Sequence, residues 1–266
     1  MKIKFLGGDE RMRHTAQALS ACYDISEDEK TDVLVLPLPL TKNGKDIFAP
    51  ASPQPVPIEE ILRHTTTDTL VLAGGECELL TQLCKKHSLR LENYFNSETL
   101  TLRNAALTAE NACMLLMENS NGALLGASVL ITGFGRIAKE LAKRLTSFGS
   151  HITIAARRRE VRCEAELCGF STIPTEIIDR TARRFDFIIN TVPAVLFTEE
   201  AFAAMPDSCV FLELATLPEA LTHTLAGRCD VRYVYGGGLP GKYSPKAAGS
   251  FIAEEIQRLL NPDRKD

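Results

Sequence analysis

Eight short apolar runs constrain this 266-residue chain more than any other feature. They are IKFL (3–6), DVLVLPL (32–38), TLVLAGG (69–75), SVLITGFG (128–135), HITIAA (151–156), FDFIINTVP (185–193), CVFLEL (209–214) and VRYVYGGG (231–238). Runs of that length, several closing on glycine or proline, fit buried strands of a parallel sheet. Helical patterns lie between them. After Gly135, the residues Ile137, Leu141, Leu145 and Phe148 recur at helical spacing, with Lys139, Glu140, Lys143 and Arg144 on other faces. Strands alternating with helices predict α/β architecture with doubly wound parallel sheets.

The middle of the chain carries a motif with a mechanism. Gly133-Phe134-Gly135-Arg136-Ile137-Ala138 has the form GxGxxA. The first glycine permits a tight turn and the second lets backbone amides approach a pyrophosphate. Ala138 is small enough for the helix to pack on its strand, and the helix N-terminus favours negative charge. The motif follows the strand SVLIT, opens an amphipathic helix and leads into a second strand about 20 residues later, which is the context that gives it weight. The unit is therefore Rossmann-like, with Gly133, Phe134, Gly135, Arg136 and Ile137 as cofactor-binding positions.

The end of that second strand selects the cofactor. Where an acidic residue would hold a ribose hydroxyl, Ala156 and Arg157 stand instead, and the first acid is Glu160. An arginine cannot accept a hydrogen bond from the hydroxyl, but its forked donors can clamp a 2′-phosphate. Arg157 and Arg158 are the expected contacts and the expected cofactor is NADP(H). Asn190-Thr191-Val192-Pro193 ends the strand FDFII, beyond whose carboxyl end ligands bind in open α/β sheets, and Thr191, Val192 and Pro193 are its expected cofactor contacts. They complete the expected cofactor set.

Two glycine-rich strand-to-turn signals, GGDERM (7–12) and GFGRIA (133–138), give two such units. The expected organisation is a substrate-side β/α domain over 1–107, a connecting helix over 108–122 and an NADP-binding domain over 123–243. A C-terminal helix over 244–266 is expected to pack back on the first domain. APASPQPVPIEE (49–60) reads as a rigid loop within the first domain, because apolar runs flank it.

Bulk properties narrow the function classes. A net charge of −4 gives no general argument for nucleic acid or acidic membrane as partner. No apolar run approaches the length of a membrane span. The eight cysteines include no CxxC pair, and no histidine stands at metal-ligand spacing to one. They read as reduced packing thiols in a cytoplasmic protein, with no metal site.

Glycines at the strand end Gly236-Gly237-Gly238 let a backbone come close to a ligand, and Lys242 or Lys246 can meet an anion. Arg11, in the GGD-x-R turn, suits bidentate carboxylate binding. Asp9, His14 and Glu110 are acid/base candidates. Asp9 can equally cap a helix, and Thr108 can cap the connecting helix with Glu110 in its first turn.

Beyond these motifs the chain resembles the A-subunit family of dipicolinate synthase over essentially its whole length. The matching elements are GGDERM, LPLPLTKNG (36–44) followed by Ala49-Pro50, NAALTAEN (104–111), GFGRIAKELA (133–142), INTVPA (189–194) and GGLPGKYSPKAAG (237–249). The family usually has Pro where Leu107 sits and Gly where Asn111 sits, and Asn96-Ser97-Glu98 replaces a charged cluster. The resemblance implies an NADP-dependent oxidoreductase of sporulation, oxidising dihydrodipicolinate to dipicolinate in the mother-cell cytoplasm together with the flavoprotein-like B-subunit of dipicolinate synthase. It implies a dicarboxylate substrate met by Arg11, Thr108, Lys242 and Lys246, and a homo- or hetero-oligomer. Another NADP-dependent amino- or keto-acid reductase, or a regulatory protein that binds nucleotide without chemistry of its own, are the alternative readings.

Overall fold

The structure, a computed structural model, describes residues 1–28, 30–216 and 219–261, with only the backbone for 219–221. The chain divides into two compact units: Met1–Asn104 together with the chain from Pro240 onward, and Ala105–Leu239. Each is built around its own parallel sheet.

The first unit contains β1 (Lys2–Phe5), β2 (Asp24–Ile25), β3 (Val33–Val35), β4 (Asp46–Ile47), β5 (Val56–Pro57), β6 (Leu70–Ala73) and β7 (Arg90–Asn93). Its five-stranded sheet runs in the order β2-β1-β3-β6-β7, all parallel, while β4 and β5 form a separate antiparallel ribbon. The order reverses between β1 and β3, and such switch points are where open sheets bind ligands. The helices α1 (Glu10–Leu19), α2 (Ile61–His64) and α3 (Glu78–Lys86) follow β1, β5 and β6. Leu34, Leu36, Ile58, Ile61 and Leu72 are fully buried around the sheet, each side chain contributing roughly 1.5–3 kcal/mol by leaving water.

A long helix, α4 (Glu98–Glu118), leads out of this unit. The connecting helix expected from Thr108 therefore begins ten residues earlier. Ser97 is the reason: its Oγ accepts from the Leu100 amide, three residues on, which satisfies a first-turn donor.

The second unit contains β8 (Ser128–Thr132), β9 (His151–Ala155), β10 (Ser171–Ile173), β11 (Phe187–Asn190), β12 (Val210–Glu213) and β13 (Arg232–Tyr235). They form one parallel sheet in the order β10-β9-β8-β11-β12-β13. Counted within the unit this is 3-2-1-4-5-6, the dinucleotide-binding order, with its switch point between β8 and β11. The helices α5 (Arg136–Ser147), α6 (Arg159–Leu167), α7 (Ile178–Thr181), α8 (Glu199–Ala203) and α9 (Glu219–Arg228) connect the strands. Helix α5 buries Ala138, Leu141, Ala142 and Leu145 completely against the sheet. The expected fold class, two Rossmann-like doubly wound parallel-sheet units joined by a helix, is what the chain adopts.

Two C-terminal helices remain, α10 (Leu239–Tyr243) and α11 (Pro245–Leu260). Helix α11 packs on α1, and Gly249 makes the approach possible: a Cβ there would lie 2.6 Å from the Arg11 carbonyl oxygen. Thr15 ties the crossing by donating to the Arg11 and Gly249 carbonyls. Among the described residues no helix is long and apolar enough to cross a membrane, and no cluster of side chains suits a metal ion. All eight cysteines are free; Cys84, Cys113 and Cys209 are buried, whereas Cys22, Cys163 and Cys168 are exposed and fill no core.

Candidate active site

The glycine turn after β8 is shaped as a cradle. Gly133 has φ +76°, and a Cβ on it would lie 2.8 Å from Val192 Cγ2 and 3.3 Å from Thr191 Oγ1. Only glycine fits beneath that loop. Gly135 differs: a Cβ there would meet nothing within 4 Å, so the space it leaves opens outward. It is the N-cap of α5 and brings no side chain to the first-turn N–H groups. An unfilled helix N-terminus above a tight glycine turn fits the pyrophosphate of a dinucleotide.

The remaining expected cofactor positions divide by what their side chains touch. Phe134 is buried, edge-on to Phe170 at 5.9 Å, so it offers a ligand mainly backbone, while Ile137 is partly buried against the same core. Arg136 is exposed at the helix start. Thr191 and Val192 form the loop over Gly133, and Pro193 is exposed beside them.

At the end of β9, Ala155 and Ala156 are buried while Arg157, Arg158 and Arg159 are all exposed. Arg158 is the N-cap of α6, where a guanidinium, having no acceptor, cannot cap the helix amides. Arg162 braces the loop from within, its Nη1 donating to the carbonyls of Ala156 (2.7 Å) and Arg157 (2.8 Å).

Of three polar residues at the strand ends, sequence reasoning reaches Asn190 only as the head of the Asn190–Pro193 segment and misses Thr132 and Glu213. Thr132, Asn190 and Glu213 are the last residues of β8, β11 and β12 and stand in register. All three are buried, Glu213 completely. The signal was available only as a polar residue ending each apolar run, which is also how an ordinary strand stops.

In the first unit, Asp9 is the N-cap of α1, its Oδ1 accepting from the Arg11 amide at 3.0 Å. The same carboxylate receives Arg11 Nε (3.0 Å to Oδ1) and Nη2 (2.7 Å to Oδ2). The Arg11 side chain is only 6% exposed and that of Asp9 20%. Gly241 presses on this pair, since a Cβ there would lie 2.7 Å from Arg11 Nε and 2.8 Å from Asp9 Oδ2. Gly241 and Gly249 of GLPGKYSPKAAG thus serve close packing on Asp9, Arg11 and α1, whereas a Cβ on Gly238 would meet nothing within 4 Å. His14 is half-buried, its Nε2 3.4 Å from Arg13 Nη2. Lys242, whose Nζ lies 5.8 Å from the Tyr243 ring centroid, and Lys246 are exposed.

Thr108 and Glu110 are not at a helix start. Both lie inside α4, Thr108 buried and Glu110 exposed, because Ser97 starts the helix.

Comparison with known proteins fits this division. Residues 13–95 match the N-terminal domain of the dipicolinate synthase A-subunit, and residues 105–216 match the NAD binding domain of D-isomer specific 2-hydroxyacid dehydrogenases. The A-subunit of dipicolinate synthase from Bacillus subtilis is 21% identical over 258 residues, 96% of this chain and 87% of the relative. The crystal structure of the dipicolinate synthase A-subunit from Bacillus halodurans superposes with a TM-score of 0.85 at 23% identity, covering 97% of each chain. In sequence and in fold, this chain is similar to the dipicolinate synthase A-subunit. A second likeness is partial: a glyoxylate reductase of Thermococcus onnurineus is 28% identical over 119 residues, 43% of this chain and 34% of the relative. The dehydrogenase match spans the glycine turn, and the chemistry it supports is that of an oxidoreductase with a nicotinamide cofactor.

Proposed function

We propose that the chain oxidises dihydrodipicolinate to dipicolinate (pyridine-2,6-dicarboxylate) with NADP+, in the cytoplasm of the mother cell of a sporulating bacterium and together with the B-subunit of dipicolinate synthase. The extent of the likeness supports this over a 2-hydroxyacid reductase: the reductase match covers 43% of the chain, the dipicolinate synthase match 96%. The observation that carries NADP is the end of β9, where two buried alanines give way to exposed Arg157 and Arg158 with no acid before Glu160.

When bound, the nicotinamide would supply the hydride acceptor for oxidation of the dihydropyridine ring, whose aromatisation also requires loss of a proton from a neighbouring ring atom. Residues of this chain hold and orient. The α5 N-terminus and the Gly133 turn receive the pyrophosphate, and Arg157 with Arg158 grips the 2′-phosphate through charge-assisted hydrogen bonds. Arg11, Lys242 and Lys246 meet the substrate carboxylates, with Thr108 as a neutral donor. Asp9 spends its carboxylate on Arg11, fixing that fork rather than moving a proton. Proton transfer falls to His14 or Glu110.

Turnover decides the proposal. Dihydrodipicolinate, generated chemically, is given to the purified chain with NADP+ or NAD+, with and without the B-subunit, and dipicolinate is followed by its aromatic absorbance. The expected result is product formation with NADP+ preferred. Absence of product even with the B-subunit present, or NAD+ used as well as NADP+, overturns it.

A further inference from the structure

A chain of buried hydrogen bonds runs across the ends of three adjacent strands of the second unit. Thr132 Oγ1 donates to Asn190 Oδ1 at 2.6 Å, and Asn190 Nδ2 donates to both carboxylate oxygens of Glu213 at 2.9 and 3.0 Å. The Ala215 amide donates to Glu213 Oε1 at 2.9 Å. Branches from this chain reach the loop over the glycine turn. The Thr191 amide donates to Thr132 Oγ1 (3.1 Å) and the Val192 amide to Asn190 Oδ1 (3.2 Å). Thr191 Oγ1 donates to the Thr132 carbonyl (2.7 Å), and Asn190 Nδ2 reaches the Val192 carbonyl at 3.2 Å.

From this geometry we infer that Glu213, acting through Asn190 and Thr132, is a positioning residue that fixes the Thr191–Val192 loop and thereby sets cofactor affinity. The inference rests on the Gly133 turn being the nucleotide site. A completely buried carboxylate is costly unless hydrogen bonds compensate it, so its presence needs a reason beyond filling space. A carboxylate accepts and does not donate. It therefore forces the Asn190 amide to turn Nδ2 toward it, which leaves Oδ1 facing Thr132 and the Val192 amide. One acceptor at the end of β12 thus sets the polarity of the bonds to the loop that run through the Asn190 amide. The loop in turn stands directly against Gly133, where even a methyl group would strike Val192 and crowd Thr191. A loop held in that place contacts the part of the dinucleotide that NAD and NADP share.

The test uses the full-length chain, calorimetric binding of NADPH and NADH, amide hydrogen exchange at Thr191 and Val192, and thermal melting. Glu213→Gln puts a donor against a donor, and Asn190→Asp puts an acceptor against an acceptor. Each is expected to weaken both nucleotides by about tenfold, the equivalent of one or two net hydrogen bonds, and to speed exchange at both amides by at least as much. Combining the two restores a donor facing an acceptor, because the amide now at 213 donates to the carboxylate at 190. The pair is expected to bring both affinities back to within about threefold of wild type, a rescue that loss of general stability does not produce. Thr132→Val keeps the shape, removes one donor and one acceptor, and carries the test if the other variants fail to fold. It is expected to weaken both nucleotides by roughly three- to tenfold.

Wild-type affinity in Thr132→Val or in the single variants, loss confined to NADPH, or no rescue in the combined variant overturns the inference. Gly135→Val separates the two levels. Normal binding by that variant overturns the nucleotide reading itself, whereas its loss of binding beside normal ladder variants overturns only the role of Glu213.

Discussion

The glycine turns after β1 and β8 look alike in sequence, but the helix behind each one begins differently. After β1 the turn is filled from within: a Cβ on Gly7 would strike Ile47 Cγ2 at 2.7 Å, and one on Gly8 would strike Met12 Cγ at 2.3 Å. Its helix N-terminus is occupied by the Asp9 carboxylate, which also holds Arg11. After β8 the N-cap is Gly135, above which there is open space. A helix N-terminus attracts an anion, and whether that anion is the protein's own or a ligand's depends on the N-cap residue. The α1 N-terminus is filled by the chain's own carboxylate, whereas that of α5 has no side chain on it.

The largest effect that would break this contrast is expected at the two glycines. Gly135→Val is expected to weaken NADPH and NADH by more than about a hundredfold, since a side chain takes the pyrophosphate's place, with the melting temperature nearly unchanged. Gly8→Val is expected to do the reverse, because φ +106° and the contact with Met12 make the side chain both strained and overpacked. Each source costs about 1–3 kcal/mol, while calorimetric affinity per folded molecule stays within about twofold. Equal loss of cofactor in both variants would erase the distinction.

Next in size is the phosphate contact. Removing Arg157 and Arg158 together as alanines is expected to weaken NADPH by roughly ten- to hundredfold, the loss of about 1.5–3 kcal/mol of charged hydrogen bonding, and NADH by less than about twofold. Titration of both nucleotides against the double variant measures it, and equal losses would reject the assignment.

The filled turn is sharpened by Asp9→Ala and Arg11→Lys. Asp9→Ala leaves a nearly buried guanidinium without its partner and removes a helix cap. It is expected to destabilise the first unit by about 2–3 kcal/mol, read by denaturant unfolding. Arg11→Lys keeps the charge and loses the fork. If Arg11 also meets a substrate carboxylate, kcat/KM falls about tenfold with NADPH affinity unchanged; wild-type kinetics in that variant would leave Arg11 a purely structural partner of Asp9.

The smallest contrast lies between the two interiors. Burial pushes the Cys84 and Cys113 thiols up to about 11 and that of Cys209 to about 12. At pH 8 roughly a thousandth or less of each is thiolate, the form that reacts. Alkylation at pH 8 is therefore expected to mark Cys22, Cys163 and Cys168 and to spare these three until the chain is unfolded. Labelling of Cys84 but not Cys113 or Cys209 would show the first unit opening more readily.

The sequence by itself determined eight of the eleven parallel strands through their short apolar-rich runs; seven of them bury residues in the sheets, and the last, β13, is an edge strand with no buried residue. It also determined the glycine turn with its arginines, because tight backbone and a lost acid are local facts. Three parallel strands were not legible: β2, β7 and β10 are edge strands, partly exposed, and their Asp24-Ile25, Arg90–Asn93 and Ser171–Ile173 segments carry no apolar run. The start of α4 was missed because Ser97 looks like any loop serine until the Leu100 amide is found on it. Only tertiary structure decided that Asp9 and Arg11 would engage each other under Gly241, and that Thr132, Asn190 and Glu213, 58 and 23 residues apart, would bond in a row. Register between parallel strands brings such residues together, and register depends on how whole strands pack rather than on any residue's neighbours in the chain.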